Sequence, residues 1–302
     1  MLKERVNAYL ALRRAMGFEL ENDGYLLQAF ARWADESGEA HVRTQSAMQW
    51  AAAGRTPWQR ESRLRAVAKF ARHARVEDPR HEVPPTSVFG FRHMRPVPYI
   101  YSPQEVQRLL DAASRLAPTW PLRPQVFTTL FGLLASTGLR VSEALNLRFD
   151  DVTADGLLIR QTKFKKTRLV PLHPSTAAEL GRFLDRRRRV DARSDYLFVS
   201  PNGGRLAYTT VRTWFTRLAR DAGLPSRRMK GPRIHDLRHT FAVRALEASP
   251  DGASQVGRHV RALSTYLGHV RLADTCWYLH ATPQLMRGVA DACERFLKGG
   301  AP

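Results

Sequence analysis

A mainly α chain with one small β-hairpin or sheet, an α+β fold in two domains, is what the sequence predicts. Three observations predict it. Apolar residues recur at helical spacing through most of the 302 residues. Prolines at 79, 84, 85, 96, 98 and 103 crowd the segment from Glu77 to Pro103, which resists regular helix and reads as a linker. Only one stretch, GLLIRQTKFKKTRLVPL, pairs two short strand-like runs around a basic tip, as a hairpin does.

The first domain is expected at residues 1–78, as a small helical bundle. VNAYLALRRAMG and YLLQAFARWADESG have helical apolar spacing and stop near glycine. In RTPWQRESRLRAVAKFARHAR, Leu64, Val67, Ala68 and Ala71 make an apolar stripe, while Arg65, Lys69 and Arg72 project together on an adjacent face with Glu61 the only acid nearby. That face suits a duplex backbone, or else is simply a solvated surface.

After a linker at 79–101, the second domain is expected at 102–302. Ser102 can cap a helix, with Pro103 in its first turn and Glu105 completing a capping box. PQVFTTLFGLLASTG is apolar enough for a buried helix and ends at Gly138, where a left-handed turn is easy. A short helix in LRVSEALNLRFDDV and the hairpin follow. Helices are then expected in TAAELGRFLDRRRRV, TTVRTWFTRLARDAG, DLRHTFAVRALEAS, HVRALSTYLG and PQLMRGVADACERFL, with a small strand YLFVS before the turn PNGG. The run Arg186–Arg189 reads as a solvated face or a DNA contact.

Composition narrows the partner. The chain has 48 Lys and Arg against 28 Asp and Glu, a formal charge of +20. Such an excess repels itself unless a polyanion is near, and phosphate neutralisation with counterion release makes nucleic acid the natural partner. A membrane surface is a weaker rival, because the charge is spread along the chain instead of gathered beside one amphipathic anchor. No run of about 18 apolar residues and no secretory signal is present, so a cytoplasmic location is expected. Cys276 and Cys293 are too few for a disulfide framework or a cysteine zinc site.

The stretch RIHDLRHTF, residues 233–241, poses the chemical question. His235 and His239 stand four apart, as in a helical zinc site, but Asp236 stands where H-E-x-x-H would have glutamate, and Arg238 would repel a cation. A phosphate clamp fits better, with His239 as a helix-packing or supporting residue. Together with STGLRVSEALNL, QTKFKKTRLVPL and LGHVRLADTCWYLH, this stretch resembles the ordered motifs of the tyrosine recombinase (phage integrase) family across about residues 100–290.

The resemblance implies a helical core-binding domain that holds DNA, followed by a catalytic domain of the tyrosine recombinase type. It implies six site residues: Arg140 and Arg238 as phosphate-binding arginines, Lys163 as the hairpin general acid, His235 of the H-x-x-R box, His269, and Tyr278 as nucleophile, with Tyr266 a less well-placed competitor. It implies double-stranded DNA as partner, no metal or other cofactor, and a tetramer on DNA with the tail after Pro283 packing against a neighbour. A nucleoid-associated cytoplasmic recombinase of a mobile element is the expectation.

The same residues make chemical sense without the family. Two planar guanidiniums can hold the non-bridging oxygens of a pentavalent phosphorus. A tyrosine, with a free pKa of about 10, becomes a nucleophile when cations lie close and a histidine or the phosphate takes its proton. A lysine delivered on a hairpin can protonate the departing 5′ oxygen. Two rivals remain at this level: a type IB topoisomerase, and a non-catalytic architectural DNA-binding protein.

Overall fold

The computed structural model describes residues 2–90, 97–160, 167–190, 194–225, 231–248, 253–269, 271–276 and 278. The chain divides into two compact units, Met1–Arg95 and Pro96–Pro302.

The first unit contains α1 (Leu2–Ala15), α2 (Glu21–Glu36), α3 (Thr44–Ala52) and α4 (Pro57–Glu77). Thr56 caps α4 by accepting the Gln59 N–H, and Pro57 fills the first turn, where no N–H is needed. Leu64, Val67, Ala68 and Ala71 are all fully buried, so the apolar stripe read from sequence is the face α4 turns inward. The adjacent cations are less free than their spacing implies. Arg65 donates to Glu61 (2.9 Å) and Lys69 to Asp23 on α2 (2.8 Å).

The proline-rich segment is shared between the units. Asp78 binds Arg5, His41 and Arg80, the His81 ring accepts the Val42 N–H (3.1 Å), and the Ser87 N–H donates to Glu61 (2.7 Å), so these residues are part of the first unit. Tyr101 is part of the second: its N–H donates to Thr240 Oγ1 (3.0 Å) and its hydroxyl to the Arg233 carbonyl (3.1 Å). Polar anchoring to each flank, invisible in a proline count, shortens what the sequence reads as linker.

In the second unit, α5 (Pro103–Ser114) opens with the expected Ser102–Glu105 capping box, and α6 (Arg123–Thr137) ends at Gly138 with φ 62°. After α7 (Val141–Leu145), the described strands β1 (Val152–Thr153), β2 (Gly156–Ile159) and β3 (Arg168–Val170) form one antiparallel sheet in the order β1-β2-β3, with Leu157 opposite Val170 and Ile159 opposite Arg168. The hairpin is therefore present with an extra short strand. Its tip, with Lys163, Lys165 and Lys166, lies outside the described residues.

Then come α8 (Pro174–Val190), α9 (Tyr208–Asp221), α10 (Ile234–Glu247), α11 (Ala253–Leu267) and the single turn α12 (Ala273–Cys276). Tyr196–Ser200 makes isolated bridges, Arg148 with Tyr196 and Val199 with Arg205, in place of the strand expected there. The arginine run of α8 is split. Arg187 is buried and donates to the Ser194 carbonyl (2.8 Å), whereas Arg188 is exposed beside Asp185. The last expected helix, with Cys293, and His280 lie outside the described residues. α6 is packed against α5, α8 and α10, and its apolar residues Val126, Phe127, Leu130, Phe131 and Leu134 anchor the main core. Among the described residues no helix is long and apolar enough to cross a membrane.

Candidate active site

Two helices of the second unit begin in the same way. At α7, RVSE places Arg140 before the first turn and Glu143 three residues on; the Glu143 carboxylate accepts the Arg140 backbone N–H (2.9 Å) and its guanidinium (2.7 Å). At α10, RIHD repeats the device: Asp236 accepts the Arg233 N–H (2.8 Å) and the guanidinium's Nε and Nη2 donors (3.0 and 2.7 Å). A carboxylate in a helix's first turn satisfies orphan donors and complements the positive end of the helix dipole. Glu143, three residues on, is thus the acidic partner of Arg140. It holds the arginine without burying it, since the Arg140 side chain keeps 31% of its exposure.

α10 carries His235, Arg238 and His239. Arg238 is almost fully buried and binds no carboxylate among the hydrogen bonds formed by the described residues. Nη1 donates to the Gly138 carbonyl (2.7 Å); Nη2 donates to the Leu267 carbonyl (2.6 Å) and to His269 Nε2 (3.0 Å). Gly138 and Leu267 stand at the C-terminal ends of α6 and α11, where carbonyls lack intrahelical partners. One guanidinium thereby ties two helix ends together.

Both turns require glycine. Gly138 (φ 62°) would drive a Cβ into the Phe241 ring, and Gly268 (φ 67°) would drive one to 2.8 Å from Arg168 Nη1. The Gly268 carbonyl accepts from Arg140 Nη2 at 3.2 Å. Burial chiefly, and Arg140 next, lower the pKa of Arg238 to about 10, which leaves it charged at neutral pH.

His269 follows Gly268. Its Nδ1 is 2.7 Å from Thr275 Oγ1, and its ring stacks near Tyr278 with centroids 6.0 Å apart. Tyr278 is only 3% exposed, with the His239 ring on another side at 5.3 Å. Burial raises the Tyr278 pKa, opposed by the charge and hydrogen bond of Arg238 and by the charge of Arg140. The three histidines are held neutral by desolvation first. For His235, Arg238 acts next; His239 falls to about 3, aided by His235, and His269 to about 4, aided by Arg238. His235 and His239 meet edge to face at 4.6 Å, so they pack on each other.

The structure therefore brings together Arg140, Arg238, His235, His269 and Tyr278; Lys163 lies outside the described residues. Tyr266 is turned elsewhere. Its ring stacks on Phe241 at 5.5 Å, and burial raises its hydroxyl pKa to about 12.

Two supporting residues escape sequence reasoning. Arg168 on β3 grips Glu143 with Nη1 and Nη2 (3.0 and 2.8 Å) and donates from Nε to the Tyr266 carbonyl (2.9 Å). A signal existed: strand alternation puts Arg168 on the face of buried Val170, and an inward arginine requires hydrogen-bond acceptors. Thr275 carries no such signal.

Comparison with known proteins identifies the family. The phage integrase family model matches residues 100–284. The protein y4rB of Sinorhizobium fredii, described as an integrase/recombinase, is 40% identical over 97% of each chain. The Tn1549 transposon integrase, solved with transposon right end DNA, is similar in fold at TM-score 0.64 and 18% identity, covering 96% of this chain and 98% of its own. A lambda integrase tetramer on a Holliday junction is similar at TM-score 0.60 and 16% identity, covering 91% and 76%. These matches do not favour the topoisomerase or architectural readings. With its motifs in family order and its fold shared, the chain belongs to the phage integrase family and is a tyrosine-type site-specific recombinase.

Proposed function

We propose that the chain cuts and rejoins duplex DNA through a 3′-phosphotyrosine link on Tyr278, with no metal and no ATP, and so moves or resolves a mobile element. Arg140 and Arg238 hold the non-bridging oxygens of the scissile phosphate. The Tyr278 hydroxyl attacks phosphorus and gives its proton to neutral His235 or to the phosphate. The P–O5′ bond breaks as Lys163 protonates the leaving oxygen, and His269 supports a phosphate oxygen. The covalent link conserves the ester's energy, so a 5′ hydroxyl from a second duplex reverses the step and exchanges strands.

One observation carries this reading. A buried guanidinium, held by carbonyls and a neutral imidazole, lies beside a buried tyrosine and a half-open second arginine. That cluster has positive charge to spare for a phosphate. The net charge of +20 and the DNA-bound neighbours support duplex DNA as ligand, and the lambda tetramer supports a homotetramer working on paired sites. We further propose that the N-terminal unit adds core-binding DNA contacts and that the protein acts in the cytoplasm on the nucleoid.

A nicked suicide substrate bearing the cognate site tests the proposal. The wild type should trap a detergent-resistant protein–DNA adduct, and Tyr278→Phe should abolish it. No adduct from the wild type, or one that persists in Tyr278→Phe, overturns the reading. Exchange between two sites, with a tetramer sized on the synaptic DNA, tests the assembly.

A further inference from the structure

A guanidinium offers hydrogen-bond donors only. The 3.0 Å contact from Arg238 Nη2 to His269 Nε2 therefore needs a lone pair on Nε2. A neutral imidazole with that lone pair carries its proton on Nδ1, and Nδ1 faces Thr275 Oγ1 at 2.7 Å. Arg238 thus sets the tautomer, and the hydroxyl that accepts from Nδ1–H holds the ring in place. Thr275 is fully buried, and its backbone N–H is fixed to the Leu272 carbonyl (2.8 Å). No water can replace its hydroxyl without moving α12, the turn that leads directly into Tyr278.

We propose that Thr275 is a positioning residue of the recombination site, whose hydroxyl holds the orientation of the His269 ring so that Nε2 faces Arg238. The inference rests on the reading of His269 as a phosphate-facing residue. A hydroxyl suits this task because it serves every state of the ring. It accepts from Nδ1–H while Nε2 is a lone pair bound by Arg238, and equally when the ring is protonated on both nitrogens. It donates to Nδ1 when the single proton moves to Nε2 and points at a phosphate oxygen. Valine keeps the shape of threonine and offers neither bond. Through Thr275, the segment that brings the nucleophile also sets the histidine beside it.

Single-turnover adduct formation on the suicide substrate tests this. Thr275→Val should slow the step about tenfold to a hundredfold, the usual effect of removing a histidine's orienting partner. DNA affinity by gel shift should stay within about twofold of the wild type, and Thr275→Ser should recover the rate to within about threefold. In a His269→Trp background, whose indole needs no partner at that position, Thr275→Val should slow nothing further. Wild-type speed in Thr275→Val overturns the inference, as does equal slowing in the tryptophan background.

Imidazole ¹⁵N shifts of the DNA-free protein separate this inference from the functional reading. His269 should carry its proton on Nδ1 in the wild type, and its Nδ1 shift should move to that of an N–H without a hydrogen-bond acceptor in Thr275→Val, even should no adduct form. A proton on Nε2 in the DNA-free wild type overturns the inference by itself.

Discussion

The cations of α4 and the cations of the active site look alike in sequence and are held in opposite ways. On α4, Arg65 is paired with Glu61 and Lys69 with Asp23, so these two charges already have a carboxylate each. In the active site, Arg140 and Arg168 share one carboxylate, Glu143, and Arg238 is held by carbonyls, an imidazole and the Tyr278 hydroxyl. A full ion pair neutralises an arginine, whereas neutral acceptors orient it and leave its field intact. The difference teaches that a basic count marks where DNA is drawn, and that the partners of each cation mark where phosphate is gripped.

The sharpest way to break the comparison is to alter Arg238. Arg238→Lys keeps the charge, but one ammonium cannot span the Gly138 and Leu267 carbonyls and His269 together. Adduct formation should fall by about a hundredfold to a thousandfold, the scale for losing one preorganised transition-state donor. Arg238→Ala should fall further and also lower the melting temperature, because two helix-end carbonyls lose their partner. Single-turnover cleavage within tenfold of the wild type in Arg238→Lys would mean that charge alone, and not its fixed orientation, carries the clamp.

Glu143 is the next largest lever. Burial acts to raise its pKa, but Arg168, by hydrogen bond and charge, and then Arg140 outweigh it and hold the carboxyl at about 2. A carboxyl depressed in the folded state stabilises it above the unfolded pKa. That contribution is lost as pH falls from about 4.5 toward about 2. Its size is about 3 kcal/mol at neutral pH. Glu143→Gln should lose stability of this order at pH 7 in urea melts, and should lose less than the wild type between pH 4.5 and 2. Parallel pH profiles would show that Glu143 is not the brace between β3 and α7.

Much of this was legible in the chain because the motifs are local. TGLR, HDLRH and LGH each place a functional side chain at or near a helix end within a few residues, and the Ser102–Glu105 cap and the Gly138 turn follow from short-range geometry. What stayed hidden depends on distant partners. Arg168 meets a carboxylate 25 residues away, Lys69 an aspartate 46 away, and buried Arg187 finds the Ser194 carbonyl across a loop. Thr275 was hidden for another reason: a threonine in a short helical turn is unremarkable until a histidine nitrogen is seen facing it.

The smallest expected effects lie on α4, and they sharpen the comparison most. Arg72 is exposed and has no acidic partner among the described residues, unlike Arg65 and Lys69 on the same helix. If partners govern availability, Arg72→Ala should reduce the slope of log affinity against log salt by about 0.9, the value for one lost phosphate contact on duplex DNA. Arg65→Ala and Lys69→Ala should each change it less, because removing a cation that already holds a carboxylate releases few counterions and frees an acid that repels the backbone without altering the count of contacts. Equal slope losses at all three positions would show that DNA strips Arg65 and Lys69 from their carboxylates. The α4 face would then act as one undivided electrostatic surface.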